Sequence, residues 1–368
     1  MQDSLLYELA LCKIPQVGPV IAKALISYCG SAESVFNSSK KHLLNIPNVG
    51  AITAEHILKA NPHELANKEL EFIERNNINV IRYLDKAYPQ RLLQYDYAPL
   101  ILYTKGTMDL NSNRHVGIIG TRKPSQYGKQ MTQTFVKDLI AYQVNIISGL
   151  AYGIDTVAHQ SAVKHGIQTI GVLGHGLDRI YPSENKTLAR QMMNHGGVIT
   201  EFPSTTKPDA TNFPMRNRII AALSDAVVVI ESGKKGGSVI TANFANQYHK
   251  DVFAFPGKIT DAQSEGCNNL IKQHKASLIQ SAKDVAYIMR WEKHDDHAAA
   301  SKQTSLFVNL TDEENQVIKL LKGQEGMGLD DIHITLKKPL GQLAGILLKL
   351  ECEGLIKSLP GKRYASVY

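Results

Sequence analysis

Between about Asn79 and Arg290 the chain alternates short apolar runs with longer mixed segments. The runs are Val80-Ile81-Arg82-Tyr83, Leu100-Ile101-Leu102-Tyr103, Val116-Gly117-Ile118-Ile119, Val144-Asn145-Ile146-Ile147, Ile170-Gly171-Val172-Leu173, Val198-Ile199, Ala226-Val227-Val228-Val229-Ile230 and Val252-Phe253-Ala254-Phe255. Several are nearly continuously apolar instead of alternating, as strands covered on both faces should be. Helical stretches of about 10 to 16 residues separate most of them. The pattern predicts an α/β core, an open and mostly parallel sheet with helices on both sides.

The two ends have other rhythms. Residues 1–75 read as short helices joined by tight turns, and two segments look alike. Ile14-Pro15-Gln16-Val17-Gly18 leads into Ile21-Ala22-Lys23-Ala24-Leu25, and Ile46-Pro47-Asn48-Val49-Gly50 leads into Ile52-Thr53-Ala54. Each resembles a helix-hairpin-helix turn, whose backbone N–H groups can hold a phosphate; a purely structural pairing of the two hairpins fits equally well. Residues 291–305 (WEKHDDHAAASKQTS) are polar and aperiodic, and read as a linker. Residues 306–368 predict helices over Asp312–Lys322, Leu329–Leu336 and Leu340–Glu353. A strand pair follows, Leu355-Ile356-Lys357 and Arg363-Tyr364-Ala365, across Pro360-Gly361. Three helices and then a hairpin is the winged-helix order.

Composition narrows the picture. The chain has 368 residues, 43% of them hydrophobic, which is globular and too long for one ordinary domain. No apolar run approaches the ~20 residues that cross a bilayer. The start MQDSLLYELA has no basic region before its apolar stretch. A cytoplasmic chain with no membrane partner is expected. Cys12, Cys29, Cys267 and Cys352 are scattered, which argues against a disulfide framework and a cysteine zinc site and for buried, reduced thiols. The formal charge of +7 allows an anionic partner and gains weight only if the cations converge.

Three segments supply that convergence. Gly117-Ile118-Ile119-Gly120-Thr121-Arg122-Lys123-Pro124-Ser125-Gln126-Tyr127-Gly128 runs from a buried strand through a polar loop to a helix start. In a parallel sheet such a loop lies at the carboxyl edge, where ligands of these folds bind. Arg122 and Lys123 add charge to the helix N-terminus, Ser125 a hydroxyl donor and Tyr127 a face for a base. The spacing is not that of a dinucleotide fingerprint. In Asn212-Phe213-Pro214-Met215-Arg216-Asn217-Arg218-Ile219-Ile220, Asn212 or Phe213 can cap and Pro214 suits the first helical position. Met215, Ile219, Ala222 and Leu223 define the apolar face; Arg216 falls inside that arc and Arg218 on its edge. A cation there needs a partner, either Glu201 or Glu231 or a bound phosphate. Ser232-Gly233-Lys234-Lys235-Gly236-Gly237-Ser238 repeats the strand, cationic turn and helix arrangement, with the helix starting near Val239.

Asp155 and His159 share a helix face and invite a hydrolase reading, but no G-x-S-x-G elbow is present. Asp155 then serves the helix N-terminus. The thirteen histidines form no H-E-x-x-H or similar ligand cluster, so neither a metal nor another cofactor is expected.

Taken in order, GTRKPSQYG, SGLAYGIDTVAH, GHGLDRIYPSEN, EFP (201–203), NFPMRNRIIAALSD, GGSVITANFA and VFAFPGKITDAQSEGCNNLIKQHKA resemble the DprA/Smf family of DNA-processing proteins. They span roughly residues 80–290, within a core at 76–290. The resemblance implies an extended Rossmann-like core flanked by a SAM-like or helix-hairpin-helix domain and a winged-helix domain. It implies a non-enzymatic homodimer that binds single-stranded DNA, protects it and loads RecA recombinase in natural transformation. On matching positions the DNA roles fall to Arg122, Ser125, Phe213, Arg216, Arg218, Gly237 and Ser238. Lys123, Tyr127, Asn217, Lys234, Lys235 and Gly236 complete the candidate single-strand site. The third loop departs from the S-G-S-L-I-T-A form expected there, since Lys235-Gly236-Gly237-Ser238-Val239-Ile240-Thr241-Ala242 stands in its place.

A Rossmann-like nucleotide phosphoribohydrolase is the alternative. Its P-G-G-x-G-T-x-x-E loop ends in a catalytic Glu, and no carboxylate follows Ser238 here. The predicted third C-terminal helix is too apolar and small to read duplex bases, which suits protein contact or weak non-specific DNA contact.

Overall fold

The computed structural model describes residues 2–112, 114–293, 311–322, 326–352, 355–359 and 363–366. The chain divides into two compact units, Met1–His294 and Asp295–Tyr368.

The first unit opens with α1 (Gln2–Cys12), α2 (Pro19–Cys29), α3 (Ala32–Phe36), α4 (Lys40–Leu44), α5 (Ala51–Lys59) and α6 (Pro62–Arg75). The two look-alike turns have the same backbone. Gln16 and Asn48 take positive φ of 67° and 65°. Gly18 (φ −84°, ψ 178°) and Gly50 (φ −86°, ψ 172°) are extended and cap α2 and α5. Ile14, Val17, Ile46 and Val49 are buried in one cluster with Leu25 and Ile57, so the apolar turn residues join the hairpins. The cluster also takes in Ile101 and Tyr103, which seats the helices on the sheet.

The sheet follows as β1 (Asn79–Arg82), α7 (Gln90–Leu93), β2 (Ile101–Thr107), β3 (His115–Ile119), α8 (Gln126–Asp138), β4 (Asn145–Ser148), α9 (Ile154–Lys164), β5 (Thr169–Val172), α10 (Lys186–Met192), β6 (Gly196–Thr200), α11 (Asn212–Leu223), β7 (Ala226–Val229), α12 (Gly237–Gln247), β8 (Asp251–Ala254), α13 (Glu265–Lys272), β9 (Ser277–Leu278) and α14 (Ala282–Ile288). Its order is β1-β2-β6-β5-β4-β3-β7-β8-β9. From β6 to β9 every pairing is parallel, and β1 and β2 join antiparallel. Val116, Ile118, Ile146, Val228 and Phe253 pack beneath α8, α9 and α14. Ile119, Ile147, Ile170, Val227 and Val229 point the other way, to α11, α12 and α13. Successive strand residues thus fill opposite cores, which is why these runs are apolar throughout. This is the expected extended Rossmann-like α/β core. The two-residue edge strand β9, with both residues exposed, carries no apolar signal and escapes the sequence pattern.

The chain runs outward from β3 through β4, β5 and β6, then returns to begin β7 on the other side of β3. The crevice outside the carboxyl ends of β3 and β7 is therefore the topological switch point, where open α/β sheets bind ligands.

The second unit contains α15 (Asp312–Leu321), β10 (Met327–Gly328), α16 (Leu329–Leu336), α17 (Leu340–Cys352), β11 (Ile356–Leu359) and β12 (Arg363–Ser366). Thr311 and Glu314 form a capping box at α15. The sheet order is β10-β12-β11, the short β10 being an addition to the expected hairpin. Val317, Leu321, Ile332, Leu343, Leu347, Leu350 and Ile356 make its core. The Pro360-Gly361 turn, Glu353, the thiol of Cys352 and residues 294–305 of the expected linker lie outside the described residues. Of the other thiols, Cys267 is buried, Cys29 partly buried and Cys12 exposed, so burial does not hold for all of them. No helix among the described residues is long and apolar enough to cross a membrane.

Two carboxylates, Glu8 and Glu69, tie the helices to the rest of the first unit. Arg82 Nε donates to Glu8 Oε2 at 2.8 Å. The carboxylate of Glu69, 1% exposed, accepts from Ser204 N at 2.8 Å and Ser204 Oγ at 2.9 Å, with Lys13 Nζ at 3.4 Å. Truncating Glu69 takes the acceptor from the part-buried Ser204 N–H and hydroxyl and leaves Lys13 Nζ with the Leu65 carbonyl at 3.0 Å but no carboxylate. Glu69→Ala is expected to lower the urea-unfolding stability of the chain by about 2–3 kcal/mol, and Glu69→Gln by less because its amide oxygen still accepts from Ser204. An unchanged urea midpoint in Glu69→Ala would refute this role.

Candidate functional site

Three segments converge on the switch-point crevice: the loop after β3, the loop after β7 and the first turns of α11. They enclose a cleft of about 770 Å³ whose lining includes Arg122, Lys123, Phe213, Arg216, Asn217, Gly236, Gly237 and Ser238. The structure thus brings these eight sequence-predicted residues together.

Arg216 is the central charge. It is 4% exposed, and its Nη1 donates to the carbonyls of Gly149 and Val172, just past β4 and at the end of β5. Its Nε donates to Asn217 Oδ1 at 3.1 Å. A Cβ on Gly149 would stand 2.4 Å from the guanidinium, so glycine leaves the room that Arg216 fills. Burial lowers the Arg216 pKa to about 10; Asp155 opposes the shift and Arg122 adds to it. The group stays cationic at neutral pH. Neither Glu201 nor Glu231 pairs with it: Glu201 binds Arg218 and Glu231 binds Ser125.

Two guanidiniums approach the Phe213 ring, with Arg122 Cζ 5.3 Å and Arg216 Cζ 5.9 Å from its centroid. The ring's negative face attracts each cation. Among the described residues no ion pair takes either arginine. Asp155 lines the same cleft, but its Oδ2 accepts from the N–H groups of Gly149 (3.1 Å) and Ala151 (3.4 Å). Burial raises its pKa, and Arg216 and the backbone N–H groups oppose the rise. It thus orders the loop before α9 more than the helix start itself. Gly153 makes that turn possible with φ +82°, and a Cβ there would meet the Thr121 carbonyl at 2.2 Å.

Other predicted residues have partners within the fold. Ser125 Oγ donates to Glu231 Oε1 and accepts from Gly128 N at 3.1 Å, so this hydroxyl caps α8 and ties the first loop to Glu231. Tyr127 is outside the cleft lining, its hydroxyl on Pro256 O at 3.2 Å. Arg218, two residues from Arg216 and so on a different side of α11, binds Glu201 and the Tyr97 carbonyl (2.8 Å). It does not share the cleft. Lys234 and Lys235 are exposed at the third loop, and Lys234 meets Glu265 at 3.4 Å. That loop offers the cleft its glycines and Ser238, whose Oγ donates to Ser232 Oγ at 2.7 Å. The helix after it starts at Gly237, two residues earlier than expected, so the first N–H groups of α12 belong to the cleft segment. Likewise α11 starts at Asn212 behind Thr211, which puts Pro214 third, and Met215 is exposed instead of apolar core.

Tyr181, Gln263 and Asp155 line the cleft without having been singled out for it. Tyr181 is 43% exposed and its ring lies 6.1 Å from Phe213 at 37°. Its backbone N–H donates to His175 Nε2 at 3.2 Å, and His175 is buried. The isolated aromatic in GHGLDRIYPSEN gives no periodic signal of a binding face.

The chain matches the family model described as DNA recombination-mediator protein A over residues 79–290, a SAM-like helix-hairpin-helix tandem over 8–60 and a DprA winged helix domain over 298–362. It is 32% identical to protein Smf of Synechocystis over 97% of this chain and 98% of that one. It is 43% identical to the DNA processing protein DprA of Bacillus subtilis over 56% of this chain and 70% of that one. The crystal structure of DNA processing protein A from Streptococcus pneumoniae superposes with a TM-score of 0.65 at 33% identity, covering 80% of this chain and 99% of that one. DNA processing protein A from Helicobacter pylori, described structurally for its single-stranded-DNA binding mode, superposes with a TM-score of 0.52 at 29% identity over 58% and 97% of the chains.

His159 is buried and faces Thr169 Oγ1 at 2.7 Å through Nδ1, not Asp155, so the two do not form a catalytic pair. Burial lowers its pKa to about 3, with Arg216 adding to the effect. The imidazole is neutral in the fold, whereas in the unfolded chain it takes up a proton near pH 6.5. Its contribution to stability is complete above about pH 6.5 and declines as pH falls towards 3, by up to about 1.4 kcal/mol per pH unit. Urea unfolding between pH 7 and 5 is expected to show a shallower pH dependence in His159→Asn than in the unmodified chain; equal slopes would refute a neutral buried His159.

Proposed function

The chain belongs to the DNA recombination-mediator protein A family, and we propose that it binds single-stranded DNA in the cleft between the β3 and β7 loops, acting by binding and not by catalysis. The observation that carries the reading is the pair Arg122 and Arg216, two cations without ion-pair partners among the described residues, both near the ring of Phe213. Guanidiniums suit phosphodiester oxygens, and an anion between them would offset their mutual repulsion. Phe213 and Tyr181 are sequence-tolerant stacking faces for bases. Lys123, Asn217 and the Gly236–Ser238 segment complete the backbone track. Lys234 and Lys235 would act as peripheral charge.

The winged-helix unit has little to offer base readout. On α17, Gln342 Nε2 is bound to Glu313 at 2.9 Å and Lys349 Nζ to Glu314 at 2.7 Å, while Leu348 is 63% exposed. The family resemblance supports RecA recombinase and a second copy of this chain as protein partners, and a cytoplasmic role in protecting DNA and loading that recombinase.

The test is fluorescence anisotropy of a labelled oligo-dT across a salt series, with duplex as competitor. Single strand is expected to win, with log affinity falling by roughly 0.7 per phosphate neutralised for each log unit of salt. Arg122→Ala and Arg216→Ala are each expected to weaken binding about tenfold or more and to flatten the slope. Unchanged affinity in both folded variants would move the site elsewhere. Hydrolysis of a nucleotide without strand binding would favour the enzyme reading.

A further inference from the structure

A second cleft of about 340 Å³ opens on the other side of the 177–183 loop, between that loop, β2 and α10. Its lining includes Lys105, Arg179, Lys186 and Arg190 against one carboxylate, Asp178. That carboxylate is already engaged: Oδ2 accepts from Arg179 Nε at 2.9 Å and Oδ1 from Thr205 N at 3.2 Å. No ion pair among the described residues takes Lys105, Lys186 or Arg190. Lys186 and Arg190 are four apart on α10, a like-charge spacing that destabilises a helix. Lys105, reaching the same cleft from β2, adds a third cation. A solvated basic surface would spread such charges; here tertiary packing gathers them from two elements distant in sequence.

The 177–183 loop also links this cleft to the first one. Tyr181 lines the main cleft, whereas Arg179, Ile180 and Ser183 from the same loop line the second. The His175 contact to the Tyr181 backbone fixes the loop between them. A strand leaving the main cleft over the half-exposed Tyr181 ring would thus meet a ready cationic surface. We propose that the cleft formed by Lys105, Lys186 and Arg190 is a second backbone subsite, taking the phosphodiesters of single-stranded nucleic acid that extend past Tyr181. The proposal rests on single-strand binding in the main cleft.

Its signature is dependence on strand length. The experiment uses the full chain, a Lys105→Ala/Lys186→Ala/Arg190→Ala variant and Arg122→Ala, with oligo-dT from about 6 to about 30 nucleotides, a range bracketing single-strand site sizes. Equal thermal unfolding of the triple variant and the unmodified chain confirms the fold. The triple variant is expected to match the unmodified chain within about twofold on the shortest strands and to bind the longest about five- to tenfold more weakly, with a salt slope smaller by at least about 0.7. Equal affinities at every length, or an equal loss at every length, would overturn the subsite, while weakening in Arg122→Ala at all lengths would leave the main cleft standing. Full affinity in Arg122→Ala at all lengths, or no strand binding by the unmodified chain, would overturn the main-cleft reading and the subsite with it.

Discussion

The candidate site is organised around a buried guanidinium that no ion pair among the described residues neutralises. Arg216 is held by the carbonyls of Gly149 and Val172, acceptors that fix its position without cancelling its charge. Burying a cation is costly unless a partner is supplied. Here the partial compensation comes from backbone dipoles and from Asp155 at longer range. Arg122, over the same Phe213 ring, makes the local field more positive. The fold thus holds two positive charges together at the mouth of the sheet.

The surrounding architecture keeps those charges in place. The Asp155 carboxylate orders the loop before α9, and Gly149 leaves space that any side chain would close. Glu231 binds Ser125 and so couples the loop after β7 to the start of α8. The acids nearest the arginines are therefore spent on holding loops. Further out, Glu69 fixes Ser204 ahead of the segment that carries Pro208 and Ala210 into the cleft lining. The helical segment at the start of the chain is in this way connected to the wall of the cleft.

Most of the architecture was legible along the chain. The apolar runs marked eight strands because strands buried on both faces cannot hide their composition. Repeated Pro and Gly turns marked the paired hairpins, whose matching positive φ at Gln16 and Asn48 bears out their likeness. Edge strands β9 and β10 were not legible, since two residues bury too little to leave a pattern. At the site, Arg122, Phe213 and Arg216 could be picked out from loop and helix-start positions. Tyr127, Arg218 and the Ser125 hydroxyl could not be sorted from them, because each faces a partner supplied by a distant segment.

The sequence by itself determined the elements, their order, the parallel core and the gathering of cationic loops at one edge. Those follow from local periodicity and from the right-handed crossover rule, which leaves little choice of where a strand-to-helix loop must lie. Tertiary structure alone decided which cations remain available. Arg218 and Arg216 differ by two positions and by the whole of their chemistry: one meets Glu201, the other meets carbonyls. It also decided that Lys105, Lys186 and Arg190 share a surface. Electrostatic pairing is set by distances across the fold, and nothing in the spacing of residues along a chain encodes those distances.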